Sequence, residues 1–281
     1  MQYAYVIHFD APEWCARTVA SLQASEPEIA VVVVDNGGAR LALLDGVEVI
    51  RPASNLGYTG GANTAIADWW SRSDATGPFV VCCHDITLAP GTLSAMADLL
   101  KQDASIGITA PSVVQSGVQA GGTVYGKFTS SRVGTVELCE WVSGACMAFS
   151  REAVAAVHGF DQGFGSYLED VEICLRAADH GWRSARLGDF HGQGQGSASS
   201  TWRRQMYVNT VRLALVREGW VTALKRCAGL LAVGIRQWLV GTVRRSAADR
   251  HRGQARLAAM GSAVLLVGRG HSAMIPPPPE Y

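Results

Sequence analysis

Apolar residues recur along the first half of the chain in two alternating rhythms. Ala4–Phe9 is a short apolar run read as a strand, and Trp14–Gln23 carries helical spacing entered through Pro12. Ile29–Val34 is a continuous, largely β-branched run of the kind buried in parallel sheets, and Asp35-Asn36-Gly37-Gly38 stops it. Strand, helix and strand at this spacing make a βαβ unit. Val47–Arg51 repeats the strand signal, a glycine-rich turn follows, and helical spacing returns over Ala62–Ser71. Phe79–Cys83 is the next buried strand and ends at His84-Asp85. Pro90-Gly91-Thr92 opens a helix ending near Gln102, and Ile106–Ala110 is strand-like. Farther on, Gly117–Val136 reads as loops and short hairpins, Glu140–Ser150 as a strand containing a glycine, and Arg151–His158 as a helix.

Repeated βα units predict an α/β fold: a mostly parallel, Rossmann-like sheet flanked by helices, mixed in its second half. Ligands of such sheets bind outside the carboxyl ends of the strands. With 281 residues and 48% hydrophobic content, the chain suits one main domain over residues 1–200 and an appendage. Charge supports that division. Residues 1–200 carry 21 acidic and 11 basic side chains, whereas 201–281 carry 3 and 13. Helical spacing over Trp202–Arg217 and Val221–Arg245 makes 201–270 a basic helical extension. Its arginines suit an anionic membrane surface, or equally a helix packed on the main domain with its charges in water. Pro276–Pro279 mark 271–281 as an expected disordered tail.

Seven cysteines without a C-x-x-C pair point to reduced thiols, and Gln2–Phe9 reads as a strand without a basic leader. Lys225, Arg226 and Arg236 interrupt the longest apolar stretch. A cytoplasmic protein is expected, with peripheral contact at the inner face of a membrane as a further option.

Three carboxylate positions follow apolar runs and would converge on one crevice: Asp35, Asp85 and Glu169-Asp170. Asp35-Asn36 can bond a ribose or a base edge, although an ordinary Asx-turn accounts for the pair as well. Asn55, Gly57, Gly60, Gly61 and Asn63 form a glycine turn before a helix, where bare amides can approach a diphosphate. It is neither a Walker loop nor a G-x-G-x-x-G segment. Asp85 is a candidate ligand for a hard divalent cation, or a turn residue. Glu169-Asp170-Val171-Glu172 opens a helix whose dipole favours acids there whatever they do, and one of them can serve as general base. His191 is a candidate metal ligand beside a Gly/Ser-rich stretch.

Taken in order, these segments resemble the family 2 glycosyltransferases, particularly the bacterial rhamnosyltransferase-like branch, from Tyr3 to His191. Asp35-Asn36-Gly37 resembles the family's Asp-Asn-Gly-Ser turn. Asn55-Leu56-Gly57-Tyr58 with Gly60-Gly61 and Asn63 resembles its Asn-Leu-Gly-Phe-x-Gly-Gly-x-Asn segment. Trp141-Val142-Ser143-Gly144-Ala145 is similar to the Ser-Gly-Ala strand beside the acceptor. Gly159-Phe160-Asp161 and Glu169-Asp170-Val171-Glu172 with Cys174-Leu175-Arg176 match two further blocks. Cys83-His84-Asp85 departs from the usual Asn-Pro-Asp, and Phe9-Asp10 from Tyr-Asn.

The resemblance implies a GT-A fold, with a nucleotide-sugar-binding half over 1–115 and an acceptor half over 116–200. It implies an inverting transfer in which Asp170 is the base and Mg²⁺ or Mn²⁺ sits at Asp85 with His191. Phe9, Asp35, Asn36, Asn55, Gly57, Gly60, Gly61 and Asn63 would hold the donor; Trp141, Gly144 and Glu169 would face the acceptor. The expected donor is dTDP-L-rhamnose, then UDP-sugars, and the acceptor a lipid-linked glycan or a small molecule, with no nucleic acid involved. Two rivals remain: an inactive sugar-nucleotide-binding protein, suggested by Cys83-His84, and a nucleotidyltransferase. The latter would need a basic phosphate loop that residues 1–20 lack.

Overall fold

A computed structural model describes residues 2–37, 46–115, 118–121, 132–133, 135–194 and 200–268. The chain divides into two compact units, the first containing Met1–Gly165 and Glu169–Gly196. Its first strands are β1 (Tyr3–His8), β2 (Ala30–Asp35), β3 (Glu48–Ile50) and β4 (Phe79–Cys83). They lie side by side in the order β3-β2-β1-β4, every pair parallel, with His8 opposite Asp35 and Ile7 opposite Cys83. That register places the ends of the three central strands at one edge.

Alternation along the strands explains why both faces need cover. Tyr3, Tyr5, Ile7, Val32, Val34, Phe79 and Val81 join one buried cluster, while Ala4, Val6, Val31, Val33, Val80 and Cys82 join the other. α1 (Pro12–Ser25) and α3 (Thr92–Gln102) contribute Cys15, Val19, Leu22, Leu93 and Met96 to the second cluster. α2 (Gly57–Ser71) and α4 (Arg151–Val157) contribute Ala65, Trp69 and Val154 to the first. A run such as Ala30–Asp35 has no polar face because neither side of its sheet meets water.

The second half of the sheet is mixed, as its weaker patterning implies. β10 (Cys146–Phe149) lies antiparallel between β4 and β6 (Ile106–Gln115), and β11 (Arg183–Gly194) runs parallel to β6. β5 (Ile86–Leu88), β7 (Val118–Ala120), β8 (Arg132–Val133) and β9 (Val136–Cys139) complete the described strands. Three expectations need correction. The helix expected from Ala62 begins at Gly57, so the glycine turn is its first turn. The strand expected over Glu140–Ser150 shrinks to Cys146–Phe149, because Gly144 turns the backbone toward its neighbours. Lastly, the sequence signals no strand over Arg183–Gly194, where β11 runs, because Gly188, Gly192 and Gly194 hide its period. Residues 271–281 lie outside the described residues.

Ser166–Leu168 and Ser197–Ile275 form the second unit. It contains α6 (Ser200–Glu218), α7 (Trp220–Val243) and α8 (Ala247–Gly268), all in the helical extension expected over 201–270. Fully buried Asn209 on α6 donates to the carbonyls of Ser166 (2.8 Å) and Tyr167 (2.6 Å). Glycines let α7 and α8 meet at backbone distance: a Cβ on Gly253 would lie 2.7 Å from the Trp238 amide nitrogen and 2.8 Å from the Gly234 carbonyl oxygen. Gly229, by contrast, faces open space within α7. Thermal denaturation should therefore split two equivalent changes: Gly253→Ala lowers Tm, and Gly229→Ala raises stability by about 0.5–1 kcal/mol through helix propensity. Equal effects would mean that the close crossing is absent in solution.

Candidate active site

The crevice lies at the carboxyl ends of β1, β2 and β4, where backbone bonds tie the ends together. The Asn36 amide donates to His8 (2.9 Å), and that of Asp10 to Gly37 (3.2 Å). Phe9, between them, is 46% exposed, so much of its side chain is accessible to a ligand. Asp35 is 8% exposed; it accepts from the Gly37 amide (3.3 Å) as an Asx-turn does and faces Arg51 Nε at 3.3 Å.

The asparagines serve as struts. Asn36 Nδ2 donates to the Gly57 carbonyl (2.7 Å) while its Oδ1 accepts from the Leu56 amide (3.3 Å). Asn63 makes the same two-way bond with the Phe160 backbone, at 2.9 and 2.7 Å. Asn55 Oδ1 accepts from the Gly57 amide (2.8 Å). Glycine is needed beside these bonds for two physical reasons. Gly57 has φ +69°, and its Cβ would lie 2.9 Å from the Gly165 carbonyl oxygen; a Cβ on Gly61 would lie 2.9 Å from both Asn36 Nδ2 and Ile7 Cγ2. A Cβ on Gly60 would crowd Leu56 Cβ within its own turn. α2 is thereby pressed against the strand ends.

Asp85 sits in the tight turn between β4 and β5. Buried Thr18 fixes that turn from α1, its hydroxyl 2.8 Å from the carbonyl oxygens of both His84 and Ile86. Among the described residues Asp85 has no hydrogen-bond or ion-pair partner, and it is only half-buried. His84 Nδ1 is 3.2 Å from the Ile7 carbonyl oxygen. Cys83 packs in the crevice floor, its Sγ 3.7 Å from the Gly144 carbonyl oxygen. Burial first, then the charges of Asp85, Glu169 and Asp170, push its thiol well above the usual range. The charges that bear on Cys83 thus come from two distant stretches of the chain, Asp85 on one side and Glu169-Asp170 on the other.

Gly144 joins the two sides of the crevice. Its amide donates to Asp170 Oδ2 (2.9 Å), and its carbonyl accepts from the Tyr58 hydroxyl (2.8 Å). A Cβ there would lie 3.1 Å from Asp170 Cβ, so glycine lets the carboxylate close in. Tyr58 was part of a motif without a role of its own; its place opposite Gly144 depends on a contact 86 residues distant. Trp141, part-buried, packs against the core cluster on this side.

α5 (Glu169–Asp179) begins after Tyr167 and Leu168, both left-handed at φ 73° and 67°. Each such residue costs about 1–3 kcal/mol, a strain tolerated where the surroundings over-determine it. The three acids of its first turn then separate. Glu172 is taken by Arg176 in a two-pronged pair of 2.9 and 2.7 Å, and Arg176 also donates to the Val157 carbonyl. Glu169 is buried. Asp170 accepts from the amides of Gly144 and Val171, and desolvation, only partly offset by those bonds, raises its carboxyl above the ordinary value.

His191 is not brought to Asp85. It lies in β11, exposed, with its carbonyl accepting from the Ala89 amide (3.2 Å). β11 pairs antiparallel to β5 with Gly192 opposite Leu88 and Gly194 opposite Ile86. On that register His191 is level with Ala89, just past one end of β5, whereas Asp85 lies in the turn before the other end. No group of three metal-ligating side chains occurs among the described residues.

The parallel strands, the carboxylate crevice at their ends and the mixed second half define an α/β fold of the GT-A type. Residues 87–269 match the model of glycosyl transferase family group 2, so the chain belongs to that family and is a glycosyltransferase. It is 29% identical over 209 residues to the N-acetylglucosaminyl-diphospho-decaprenol L-rhamnosyltransferase of Mycobacterium tuberculosis, an alignment covering 60% of this chain and 67% of that protein. Among solved structures it resembles the mannosyltransferase PcManGT from Pyrobaculum calidifontis in complex with GDP-Man and Mn²⁺. The TM-score is 0.58 at 15% identity, covering 93% of this chain and 86% of that one. It also resembles GalNAc-T7 with UDP, GalNAc and Mn²⁺, with a TM-score of 0.56 at 16% identity; that match covers 76% of this chain and spans 47% of the other's length.

Proposed function

We propose that this glycosyltransferase moves L-rhamnose from a dTDP donor, with UDP-sugars as the next choice, to a hydroxyl of a lipid-linked glycan. The observation that carries the reading is the run of contacts that links the two carboxylate segments: the Gly144 amide bonds Asp170, and the Gly144 carbonyl meets Cys83, two residues before Asp85. The relative from Mycobacterium tuberculosis supports rhamnose and a diphospho-decaprenol-linked N-acetylglucosamine as donor sugar and acceptor.

Residues 1–115 would hold the nucleotide and 116–200 the acceptor. Phe9 stacks on the base, and Asp35 bonds the ribose at the cost of its turn and Arg51 contacts. Asn36, Asn55, Gly57, Gly60, Gly61 and Asn63 shape the pocket wall, since their amides or their lack of a side chain are already used in docking α2. Asp170 takes the proton from the acceptor hydroxyl as that oxygen bonds to the anomeric carbon; the bond to the diphosphate breaks on the opposite face, inverting the centre. Its raised proton affinity suits this work, and the Gly144 amide aims it. Trp141, Gly144 and Glu169 border the acceptor.

Asp85 fits a hard divalent cation: its carboxylate lacks a protein partner among the described residues, and magnesium-type sites use one or two carboxylates plus phosphate oxygens. Mg²⁺ or Mn²⁺ held there would offset charge on the departing diphosphate. His191, level with Ala89 at the far end of β5 from Asp85, would join only if the β5–β11 edge shifted.

The test is release of nucleoside diphosphate from a panel of dTDP- and UDP-sugars, with N-acetylglucosaminyl-diphospho-polyprenol as acceptor. Rhamnosylated lipid from dTDP-L-rhamnose supports the reading. Binding of donors without transfer to any acceptor would favour an inactive sugar-nucleotide-binding protein instead, and absence of donor binding would sink both.

A further inference from the structure

We propose that the outward face of α7 docks on an anionic lipid surface, lying in the interface and not crossing it. Of the thirteen large apolar side chains exposed among the described residues, nine belong to this one helix. Single exposed hydrophobics are ordinary; a contiguous arc of them on one helix face is a patch. At 100° per residue, Trp220, Leu224, Leu231, Ile235 and Trp238 fall within an arc of about 60°, and Leu239 widens it to about 100°. Trp220 is 64% exposed and Leu239 51%. The helix packs through a different stripe, Ala223, Cys227, Gly234 and Gly241, so the apolar arc is left over after the fold has taken what it needs.

Charge selects the partner. Lys225 and Arg236, both exposed, border the arc on the side away from the packed stripe, and α7 contains no acidic residue. A second copy of the chain set face to face would oppose these cations without an acid on either helix to pair them. A bilayer with anionic headgroups accepts the apolar arc in its outer acyl region and the cations at its phosphates, with the two tryptophans suited to the boundary. Crossing is disfavoured because Lys225, Arg226 and Arg236 interrupt the helix, and no described helix is long and apolar enough to span. The docking argument stands on α7 alone; the lipid-linked acceptor proposed above would give it a purpose.

Co-sedimentation of the full chain with vesicles tests it. Wild type should pellet with phosphatidylcholine vesicles containing about 30% phosphatidylglycerol, much less with pure phosphatidylcholine, and less again at about 0.5 M salt. Leu231→Glu with Leu239→Glu should cut the bound fraction about tenfold or more, and Lys225→Glu with Arg236→Glu should remove the preference for anionic lipid. Both pairs are exposed, so circular dichroism and Tm should match wild type. Wild type left in the supernatant with anionic vesicles, or a leucine variant that binds as well as wild type, overturns the proposal. So does a dimer that the leucine substitutions dissociate in a protein that ignores vesicles. Nucleoside diphosphate release without vesicles should be unchanged in all these variants; its absence from wild type would strike the transfer reading and leave the vesicle result standing.

Discussion

Asp170→Asn should lower turnover by about 10²–10⁴-fold, the usual contribution of a positioned general base, while leaving donor affinity close to wild type. The pH dependence follows from the environment of the carboxyl. Desolvation raises its proton affinity, so the acid limb of the wild-type rate should fall at a pH above the ordinary aspartate value of about 3.9. The same shift has a stability consequence of known sign. A carboxyl with a raised folded pKa holds its proton more readily folded than unfolded, so the fold is favoured below the unfolded value and that gain is lost as pH rises through the folded one. Asparagine escapes that loss. The variant should therefore melt above wild type near neutral pH, with the difference closing on acidification. Turnover within tenfold of wild type would place the base elsewhere, with Glu169 the next candidate. A lower Tm at neutral pH would mean that the bonds to Gly144 and Val171 outweigh the desolvation.

Asp85→Ala should cost about 10²–10³ in rate, as expected when the charge stabilisation of a leaving diphosphate, several kcal/mol, is removed. The loss should be accompanied by disappearance of the Mn²⁺ dependence expected of wild type. Stability should hardly change, because the carboxylate makes no hydrogen bond or ion pair with described residues and the turn is held by Thr18 through backbone carbonyls. His191→Ala is the informative control. Because His191 lies past the end of β5 opposite Asp85, its removal should leave the Mn²⁺ titration unaltered; a shifted titration would show that the β5–β11 edge rearranges when the donor binds.

Apart from the short β5, strand and helix order over the first 115 residues could be read from the sequence, since buried β-branched runs such as Ala30–Asp35 and punctuation such as Asp35-Asn36-Gly37 act locally. The series of motifs likewise carried the family before any fold was in view. What escaped was set by partners distant in the chain. β11 hides its period behind three glycines, and its pairing with β6 and β5 makes it a strand; the same pairing separates His191 from Asp85. Asn36, Gly61 and Asn63 look in sequence like ligands of a nucleotide, yet their close neighbours are the α2 backbone, Ile7 and Phe160. Glu169, Asp170 and Glu172 are alike in sequence, all acids in the first turn of a helix. Tertiary structure distinguishes them by giving Glu172 to Arg176, burying Glu169 and turning Asp170 toward an amide 26 residues earlier. The sequence by itself thus determined the elements and the chemical groups, because periodicity and turn chemistry are local. Only the folded chain decided which group faces which, because hydrogen bonds and desolvation depend on neighbours that the linear order does not specify.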